Sequence, residues 1–373
     1  MAQLPIKVML IFGTRPEAIK MAPLVQQLQK DERFLPIVVV TAQHREMLDQ
    51  VLTIFHITPD YDLNVMRAGQ TLSGITVHVI SQLDTIIEQE EPRLILVHGD
   101  TTTTFAASVS AFYHQVAIGH VEAGLRTWDK YSPYPEEMNR QLTDVLSDLY
   151  FAPTTTSRDN LLKEHHPAKQ IFVTGNTAID ALSETVTKNF HHVVLDQIPA
   201  NHQFVLLTMH RRENQGEPMR ATFSAIKRVV DERTNLDVVY PVHLSPAVQE
   251  AAREVFADDE HIHLIQPLDV VEFHNLAAKA LFIMTDSGGV QEEAPSLGKP
   301  VLVLRDTTER PEGVAAGTLK LVGTDETKVY QAMTELLNNQ TEYNAMAMAQ
   351  NPYGDGHASE RIVAAIATYF DAD

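Results

Sequence analysis

The chain has 373 residues and is strongly acidic: 29 Lys and Arg residues stand against 49 Asp and Glu residues, for a formal charge of −20. Nucleic acids and anionic membranes bind basic surfaces, so this balance argues against both classes of partner, although a few cations gathered in one cleft could still bind a small anion. The sequence has no cysteine, which excludes disulfides, thiolate zinc sites and cysteine nucleophiles.

Apolar runs of strand length alternate with helical patterns along the whole chain, beginning with IKVMLIF. The predicted strands are 6–12, 36–42, 93–99, 117–123, 148–154 and 170–176 in the first half, and 204–210, 236–243, 262–267, 281–289, 300–306 and 319–325 in the second. Helical patterns separate them, for example at 105–115 and 247–256. This alternation predicts an α/β fold of doubly wound parallel sheets with helices on both faces, and we expect two sheets of six strands each.

The segment 187–203 has mixed polarity and no clear period, so we place a domain boundary there. We predict a Rossmann-like domain at 1–186 and a second one at 187–357, facing a central cleft, and we expect a helix within 358–373 to pack back on the first domain. No apolar run reaches the length of a membrane span, and the amino-terminal run is interpreted as the first strand and not as a signal peptide. We therefore expect a soluble cytoplasmic protein.

The first strand is followed by FGTRPEAIKMAPL, in which Gly13 breaks the strand and Pro16 suits the first turn of a helix. Free N–H groups and the helix dipole converge at such a helix start and attract anions. Arg15 and Lys20 would strengthen an anion site there. The alternative is that both are solvated surface cations.

Acidic residues follow the strands of the first half, where ligands of doubly wound sheets bind. Asp100 comes after the strand at 93–99, Glu122 closes the strand at 117–123, and Glu136 lies one helical turn before Arg140. Asp100 could instead be a helix N-cap, and Glu136 with Arg140 a solvated pair. Together these carboxylates predict an acid–base wall on the first domain.

Cations and glycines follow the strands of the second half. His210 comes after the strand at 204–210, and Arg310 after the strand at 300–306. The Ser287-Gly288-Gly289 turn lets backbone approach a phosphate closely, and Glu292 or Glu293 could accept both hydroxyls of a ribose. An ordinary capped buried helix is the alternative for this turn.

Other familiar sites are missing from the sequence. Neither G-x-G-x-x-G after the first strand nor G-x-x-x-x-G-K-[ST] is present, so neither a tightly held dinucleotide nor a P-loop triphosphate is expected. The histidine-rich stretches HHP, HH and HIH lack neighbouring carboxylates at ligand spacing, and we predict no metal site.

Taken together, GTRPEAIKMAPL, HGDTTTT, HVEAGLRT, YPEEMNR and DSGGVQEEAPSLGKPVLVLRDTTERPEG closely resemble the bacterial non-hydrolysing UDP-N-acetylglucosamine 2-epimerases, and the likeness runs essentially end to end. The resemblance implies two Rossmann-like domains in the glycosyltransferase-B arrangement and a homodimer. It also implies interconversion of UDP-N-acetylglucosamine and UDP-N-acetylmannosamine without a cofactor, to supply cell-surface polysaccharides.

The resemblance also implies roles for individual residues. The catalytic residues it implies are Asp100, Glu122, Glu136 and His210, of which the three carboxylates are associated with proton transfer at the sugar. Those that would bind UDP are Arg15, Lys20, His210, Phe273, Ser287, Gly288, Gly289, Glu293 and Arg310, with Phe273 near the uracil. A second UDP-N-acetylglucosamine, acting as an activator, is associated with the segments that hold Gln43, His44, Arg67 and Gln70. Leu268 departs from the pattern, because some relatives carry glutamine there.

These residue types suit epimerisation by elimination. As the bond from carbon 1 to UDP stretches, the proton on carbon 2 becomes acidic; loss of UDP then leaves a 2-acetamidoglucal, and re-addition from the other face gives the epimer. The step needs cations at the diphosphate and carboxylates at the sugar. Burial and like charge should raise the pKa of at least one carboxyl, although the sequence does not say which. A retaining glycosyltransferase and an inactive UDP-sugar sensor are the rival hypotheses.

Overall fold

The computed structural model describes residues 4–41, 45–66, 69–257 and 259–371. The chain divides into two compact units, one formed by Met1–Ser183 together with Tyr353–Asp373 and the other by Glu184–Pro352. The division after Ser183 lies close to the boundary predicted after residue 186.

The first unit contains a parallel sheet of seven strands within the described residues, in the order β3-β2-β1-β4-β5-β6-β7. Its strands are β1 (Ile6–Phe12), β2 (Phe34–Val40), β3 (Tyr61–Asp62), β4 (Leu94–His98), β5 (Ala117–Val121), β6 (Leu149–Ala152) and β7 (Ile171–Val173). The expected count of six is wrong for this sheet. The additional strand, β3, has only two residues at the sheet edge, too few to produce a recognisable pattern.

The second unit contains a parallel sheet of six strands, as predicted, in the order β10-β9-β8-β11-β12-β13. Its strands are β8 (Gln203–Thr208), β9 (Leu236–Pro241), β10 (Ile262–Ile265), β11 (Ile283–Thr285), β12 (Val301–Val303) and β13 (Leu319–Leu321). Several strands end earlier than the sequence predicted, because the polar residues that follow each apolar run belong to loops.

Strand β1 shows why the sheets are buried on both sides. Val8, Leu10 and Phe12 belong to one hydrophobic cluster, whereas Met9 and Ile11 belong to another, and all five are fully buried. Successive side chains of a strand point to opposite faces, so both faces of the sheet are covered. The α/β class with helices on both faces is therefore confirmed.

Helices connect the strands in both units. They are α1 (Arg15–Gln29), α2 (Arg45–Ile54), α3 (Leu72–Glu90), α4 (Thr102–Tyr113), α5 (Glu136–Leu146), α6 (Thr155–Lys163), α7 (Thr177–Thr185), α8 (Val193–Gln197), α9 (Glu217–Asp231), α10 (Pro246–Phe256), α11 (Val270–Lys279), α12 (Gly288–Glu293), α13 (Pro311–Ala316), α14 (Glu326–Asn338), α15 (Gln340–Ala347) and α16 (Ala358–Asp371). Among the described helices, none combines the length and the apolar character needed to cross a bilayer.

Helix α16 packs in the first unit, against α1. Its residues Ile362 and Ile366 share a hydrophobic cluster with Leu24 of α1. Asp180 of α7 holds the start of α16, because its carboxylate accepts hydrogen bonds from the N–H of Ala358 at 2.9 Å and from that of Ser359. Burial raises the pKa of Asp180 to about 6, although these two N–H groups oppose the shift.

Candidate active site

The backbone N–H groups at the start of α1 bind a carboxylate of the protein itself, that of Glu17. Gly13 and Thr14 both donate their N–H groups to Oε2 of Glu17, at 2.9 and 2.7 Å, and the Thr14 side chain completes a capping box. The other oxygen of Glu17 accepts from the hydroxyl of Thr101 at 2.6 Å. Glu17 is buried, so a protein carboxylate occupies the place where the sequence predicted an external anion. Arg15 remains at the first position of α1.

Two candidate carboxylates follow neighbouring strands of the first sheet. Asp100 comes after β4, and Glu122 comes directly after β5 with a φ of +68°, a left-handed conformation that is costly for a residue other than glycine. Glu122 forms an ion pair with Lys20 and accepts a hydrogen bond from Asn176 Nδ2 at 2.9 Å. Lys20 was expected at UDP, and the structure brings its ammonium group to a candidate catalytic carboxylate.

Asp100 pairs with Arg140 of α5. It does not cap helix α4, because Thr101 does, so the N-cap alternative is wrong for Asp100. The alternative of a solvated Glu136–Arg140 side-chain pair is also wrong, because Arg140 donates to the backbone carbonyl of Glu136, at 3.4 Å, and forms an ion pair with Asp100. The strand end and the helix are thus joined by the Asp100–Arg140 pair.

The neighbouring Glu137 has a structural role that the sequence did not reveal. It is fully buried, and its carboxylate accepts hydrogen bonds from the N–H groups of Thr127 and Trp128, at 3.0 and 3.1 Å. Burial opposes ionisation, but these N–H groups and the side-chain amide of Gln141 together outweigh it and hold the pKa of Glu137 below its usual value. Glu137 therefore fixes the loop before α5, while Glu136 is only half-buried at its first turn.

Burial shifts the pKa values of Asp100 and His98 in this cluster in opposite directions. Burial raises the pKa of Asp100, with Arg140 opposing the shift and the charges of Glu122 and Glu136 adding to it. His98, at the end of β4, is buried, and burial lowers its pKa to about 3. Its Nε2 lies 3.8 Å from Glu122 Oε2, and neither ring nitrogen has a hydrogen-bond partner among the described residues. The cluster thus combines a carboxyl that retains its proton more readily with a neutral imidazole.

A buried network supports the loop that carries Asp100. The ring nitrogens of His120 lie 2.7 Å from the carbonyl of Gly99 and 2.6 Å from the carboxylate of Asp144. Arg126 donates to Asp144 at 2.6 Å and to Glu164, and its side chain is completely buried. Arg126, a strand-end cation in the sequence, is therefore part of the scaffold.

In the second unit, Asp286 organises the loops that follow β8 and β11. It is completely buried, and its Oδ2 accepts hydrogen bonds from the N–H groups of His210 and Arg211, at 2.9 and 2.8 Å, and from Asn214 Nδ2 at 3.0 Å. Arg211 returns a bond from Nε to the Asp286 carbonyl, at 2.8 Å. The N-cap residue of α12 is Ser287 and not Asp286. Asp286 instead holds the loop after β8 to the loop after β11 through these hydrogen bonds.

Two guanidinium groups meet beside Gly288. A Cβ at this position would lie 3.7 Å from Arg310 Nη2 and 3.9 Å from Arg211 Nη2. Arg310 also forms an ion pair with the buried Glu292. Arg211 was not among the residues that the resemblance assigned to UDP, and its guanidinium group lies beside the glycine turn. Arg305 is instead buried between Glu213 and Glu309 and serves the scaffold.

His210 stacks on His243, with ring centroids 5.4 Å apart. Burial lowers the pKa of His210, helped by His243 and Arg211 and opposed by Asp286. The ring is therefore neutral near pH 7 and can donate one hydrogen bond. His243, which follows β9, carried no signal in the sequence.

The remaining predicted UDP residues lie around α11 and α12. Glu293 keeps a partly exposed carboxylate, with one oxygen 3.3 Å from His274 Nε2, whereas Glu292 is buried against Arg310. Of the two ribose candidates, Glu293 is the more accessible. Phe273 is half-buried on α11.

Of the residues associated with an activator, only Gln70 lies within the described part of the chain, just before α3. Gln43, His44 and Arg67 lie outside it.

Comparison with known proteins identifies the family. A family model described as UDP-N-acetylglucosamine 2-epimerase matches residues 26–367. The UDP-N-acetylglucosamine 2-epimerase of Bacillus subtilis is 63% identical over 358 residues, which cover 96% of this chain and 94% of the relative.

Two solved structures are similar over nearly the whole chain. The UDP-GlcNAc 2-epimerase of Neisseria meningitidis bound to UDP-GlcNAc has a TM-score of 0.88 and 49% identity, covering 97% of this chain and 100% of its own. The S. aureus MnaA–UDP co-structure has a TM-score of 0.88 and 57% identity, covering 98% of this chain and 97% of its own. The likeness in sequence and in fold leads to one conclusion: the chain belongs to the UDP-N-acetylglucosamine 2-epimerase family.

Proposed function

We propose that this chain interconverts UDP-N-acetylglucosamine and UDP-N-acetylmannosamine by eliminating UDP and adding it back. The observation that carries the mechanism is the cluster after β4 and β5. There Asp100, whose pKa is raised, lies within electrostatic range of Glu122, which is paired with Lys20. Two carboxyl groups in different environments can act as acid and base at one carbon.

The second unit would bind the UDP part of the substrate. Arg211 and Arg310 beside Gly288 supply positive charge where the diphosphate becomes more negative as the bond to carbon 1 breaks. A neutral His210 would donate one further hydrogen bond. Glu293 is placed one turn after the glycine pair, where its accessible carboxylate would accept the ribose hydroxyls.

The chemical step is balanced without an oxidant. A carboxylate removes the proton from carbon 2, the carbon 1–oxygen bond breaks, and UDP leaves with the bonding electron pair. The glucal then accepts a proton at carbon 2 on the opposite face, and UDP attacks carbon 1 again. We assign removal of the first proton to Glu122, because Lys20 favours its ionised form, and the returning proton to Asp100. In the reverse direction the two roles exchange.

Incubation of the enzyme with UDP-N-acetylglucosamine alone in heavy water tests this function. We expect NMR to show UDP-N-acetylmannosamine forming and deuterium entering carbon 2 of both sugars. Epimerisation without deuterium would refute the elimination step. A requirement for an acceptor would favour a glycosyltransferase, and binding without conversion would favour a sensor.

The homodimer, the UDP-N-acetylglucosamine activator and the supply of product to cell-surface polysaccharides stay predictions from the resemblance. Size-exclusion chromatography with light scattering would test the first, and a dependence of the reverse reaction on added UDP-N-acetylglucosamine would test the second.

A further inference from the structure

The amino-terminal edge of the second sheet carries a cluster of three histidines around one buried carboxylate. Asp237 is the second residue of β9, His202 precedes β8, and His261 and His263 lie at the start of β10. His210 and Asp286 follow the carboxyl ends of β8 and β11, so this cluster lies at the opposite edge of the same sheet.

The strand register explains why the four side chains meet. Asp237 of β9 is paired with Phe204 of β8, and His263 of β10 is paired with Val239 of β9. Because side chains alternate between faces, positions 202, 237, 261 and 263 all point to the same face. Adjacent strands are about 4.8 Å apart, which puts these side chains within contact distance.

Asp237 is completely buried, and every ion-pair partner that the described residues offer it is a histidine. His202 Nδ1 lies 2.6 Å from Asp237 Oδ2, His263 Nε2 lies 2.7 Å from Oδ1, and His261 Nδ1 lies 3.7 Å from Oδ1. A buried carboxylate is costly without a positive charge nearby. A cation bound between the carboxylate and the imidazole nitrogens would supply that charge.

We propose that His202, Asp237 and His261 form a binding site for one Zn²⁺ ion. One ligand atom from each residue lies within 4.8 Å of the others, and ligand atoms of a tetrahedral zinc site are about 3.3 Å apart. Imidazole nitrogen and carboxylate oxygen are zinc ligands, whereas Mg²⁺ and Ca²⁺ prefer oxygen alone. The metal takes the place of the proton between His202 Nδ1 and Asp237 Oδ2.

His263 has a different part in this site. It donates to Asp237 Oδ1 and thereby leaves Oδ2 directed at His202, which is the way outer hydrogen bonds orient ligands in metal sites. Asp259 fixes the backbone at His261, because its Oδ1 accepts the backbone N–H of His261 at 3.0 Å. The sequence prediction of no metal site considered only carboxylates near the histidines in the chain, and Asp237 comes from a neighbouring strand.

The site is independent of the proposed function, and calorimetric titration of Zn²⁺ into the EDTA-treated full-length protein tests it. We expect one Zn²⁺ per chain, with release of protons, and no heat from Mg²⁺. His202→Gln and His261→Gln should each weaken binding roughly tenfold or more, and His263→Gln roughly 10–100-fold. His191→Gln is the matched control, because this histidine of the same unit is exposed and pairs with Asp196.

A second measurement separates loss of the site from loss of the fold. Zn²⁺ should raise the melting temperature of the wild type and of His191→Gln, but not that of His261→Gln, whose target side chain is the most exposed of the cluster. Circular dichroism and epimerase activity of each metal-free variant should match those of the wild type. Zn²⁺ that binds His202→Gln and His261→Gln as tightly as the wild type, or binds without stoichiometry, would overturn the proposal.

Discussion

Asp100 and Asp286 occupy equivalent places in the two sheets, each just after a buried parallel strand. They differ in exposure and in the groups that they contact. Asp100 keeps 28% of its side chain exposed, pairs with Arg140, and has a raised pKa. Asp286 is completely buried, and one of its oxygens accepts three N–H hydrogen bonds. A candidate catalytic group and a structural group can therefore share the same position at a strand end, and they differ in exposure and in their hydrogen-bond partners.

The same contrast holds for the cations. Arg126 and Arg305 are buried between carboxylates of the scaffold, whereas Arg211 and Arg310 lie beside the glycine turn. A buried pair fixes loops, and a guanidinium beside accessible backbone can bind an anion.

The sharpest test of the comparison is removal of the proposed catalytic carboxyls. Asp100→Asn and Glu122→Gln should each lower kcat by roughly 100-fold or more, the usual contribution of a general acid or base. Steady-state epimerisation followed by NMR measures the effect. Asp159→Asn, an exposed carboxylate of α6, is the control and should retain wild-type turnover; unchanged rates in both test variants would remove the assignment.

Removal of Arg310 probes the anion-binding part of the second unit. Arg310→Ala should weaken UDP binding by roughly 10–100-fold, since a charged hydrogen bond contributes about 1.5–3 kcal/mol. The double variant with Glu292→Gln avoids leaving a buried carboxylate without its cation. Calorimetry should show the same loss of UDP affinity in the single and double variants; full recovery in the double variant would assign the effect to Glu292.

Asp286→Asn tests the structural half of the comparison. An amide oxygen cannot replace a carboxylate that accepts three N–H bonds, so we expect a loss of about 1–3 kcal/mol in the free energy of unfolding. Urea unfolding followed by circular dichroism measures it. Asp100→Asn should change this free energy less, and a larger loss for Asp100→Asn would reverse the two roles.

The final prediction concerns the dependence of stability on pH. Burial lowers the pKa of His98 from 6.5 to about 3, so the unfolded chain binds one more proton than the native one between these values. Stability that is present above pH 6.5 is lost as the pH falls toward 3, by up to about 1.4 kcal/mol per pH unit. His98→Gln should show a shallower decline between pH 7 and pH 5 than the wild type. The exposed-site variant His191→Gln should follow the wild type; a decline of equal slope in His98→Gln would contradict a neutral buried imidazole.

Local pattern was enough to predict the long elements of this fold. The run IKVMLIF has no polar face, and β1 coincides with it from Ile6 to Phe12. Strand β3 was missed because Tyr61 and Asp62 extend the sheet by two residues only. The polar residues after β4, β5, β8 and β11 were correctly expected to gather at strand ends, because topology alone dictates that.

The sequence could not predict which side chains would contact one another in the folded chain. The resemblance assigned Lys20 to UDP and did not indicate its ion pair with Glu122, and Glu17 gave no sign that its carboxylate would accept the N–H groups at the start of α1. These contacts depend on loops that are far apart in the chain and converge only in the folded sheet. The resemblance supplied the residue names, and the structure showed which of these side chains are buried in hydrogen-bond networks and which stay partly exposed.

The position of α16 bears on how the protein is made. Ile362 and Ile366 complete the same apolar cluster as Leu24, and Asp180 anchors the start of that helix. During synthesis the first unit therefore lacks part of its interior until residues 358–371 have left the ribosome, whereas the second, continuous unit has all of its residues earlier. The unit that contains the first residues to be translated is thus the one whose set of interior residues is completed last.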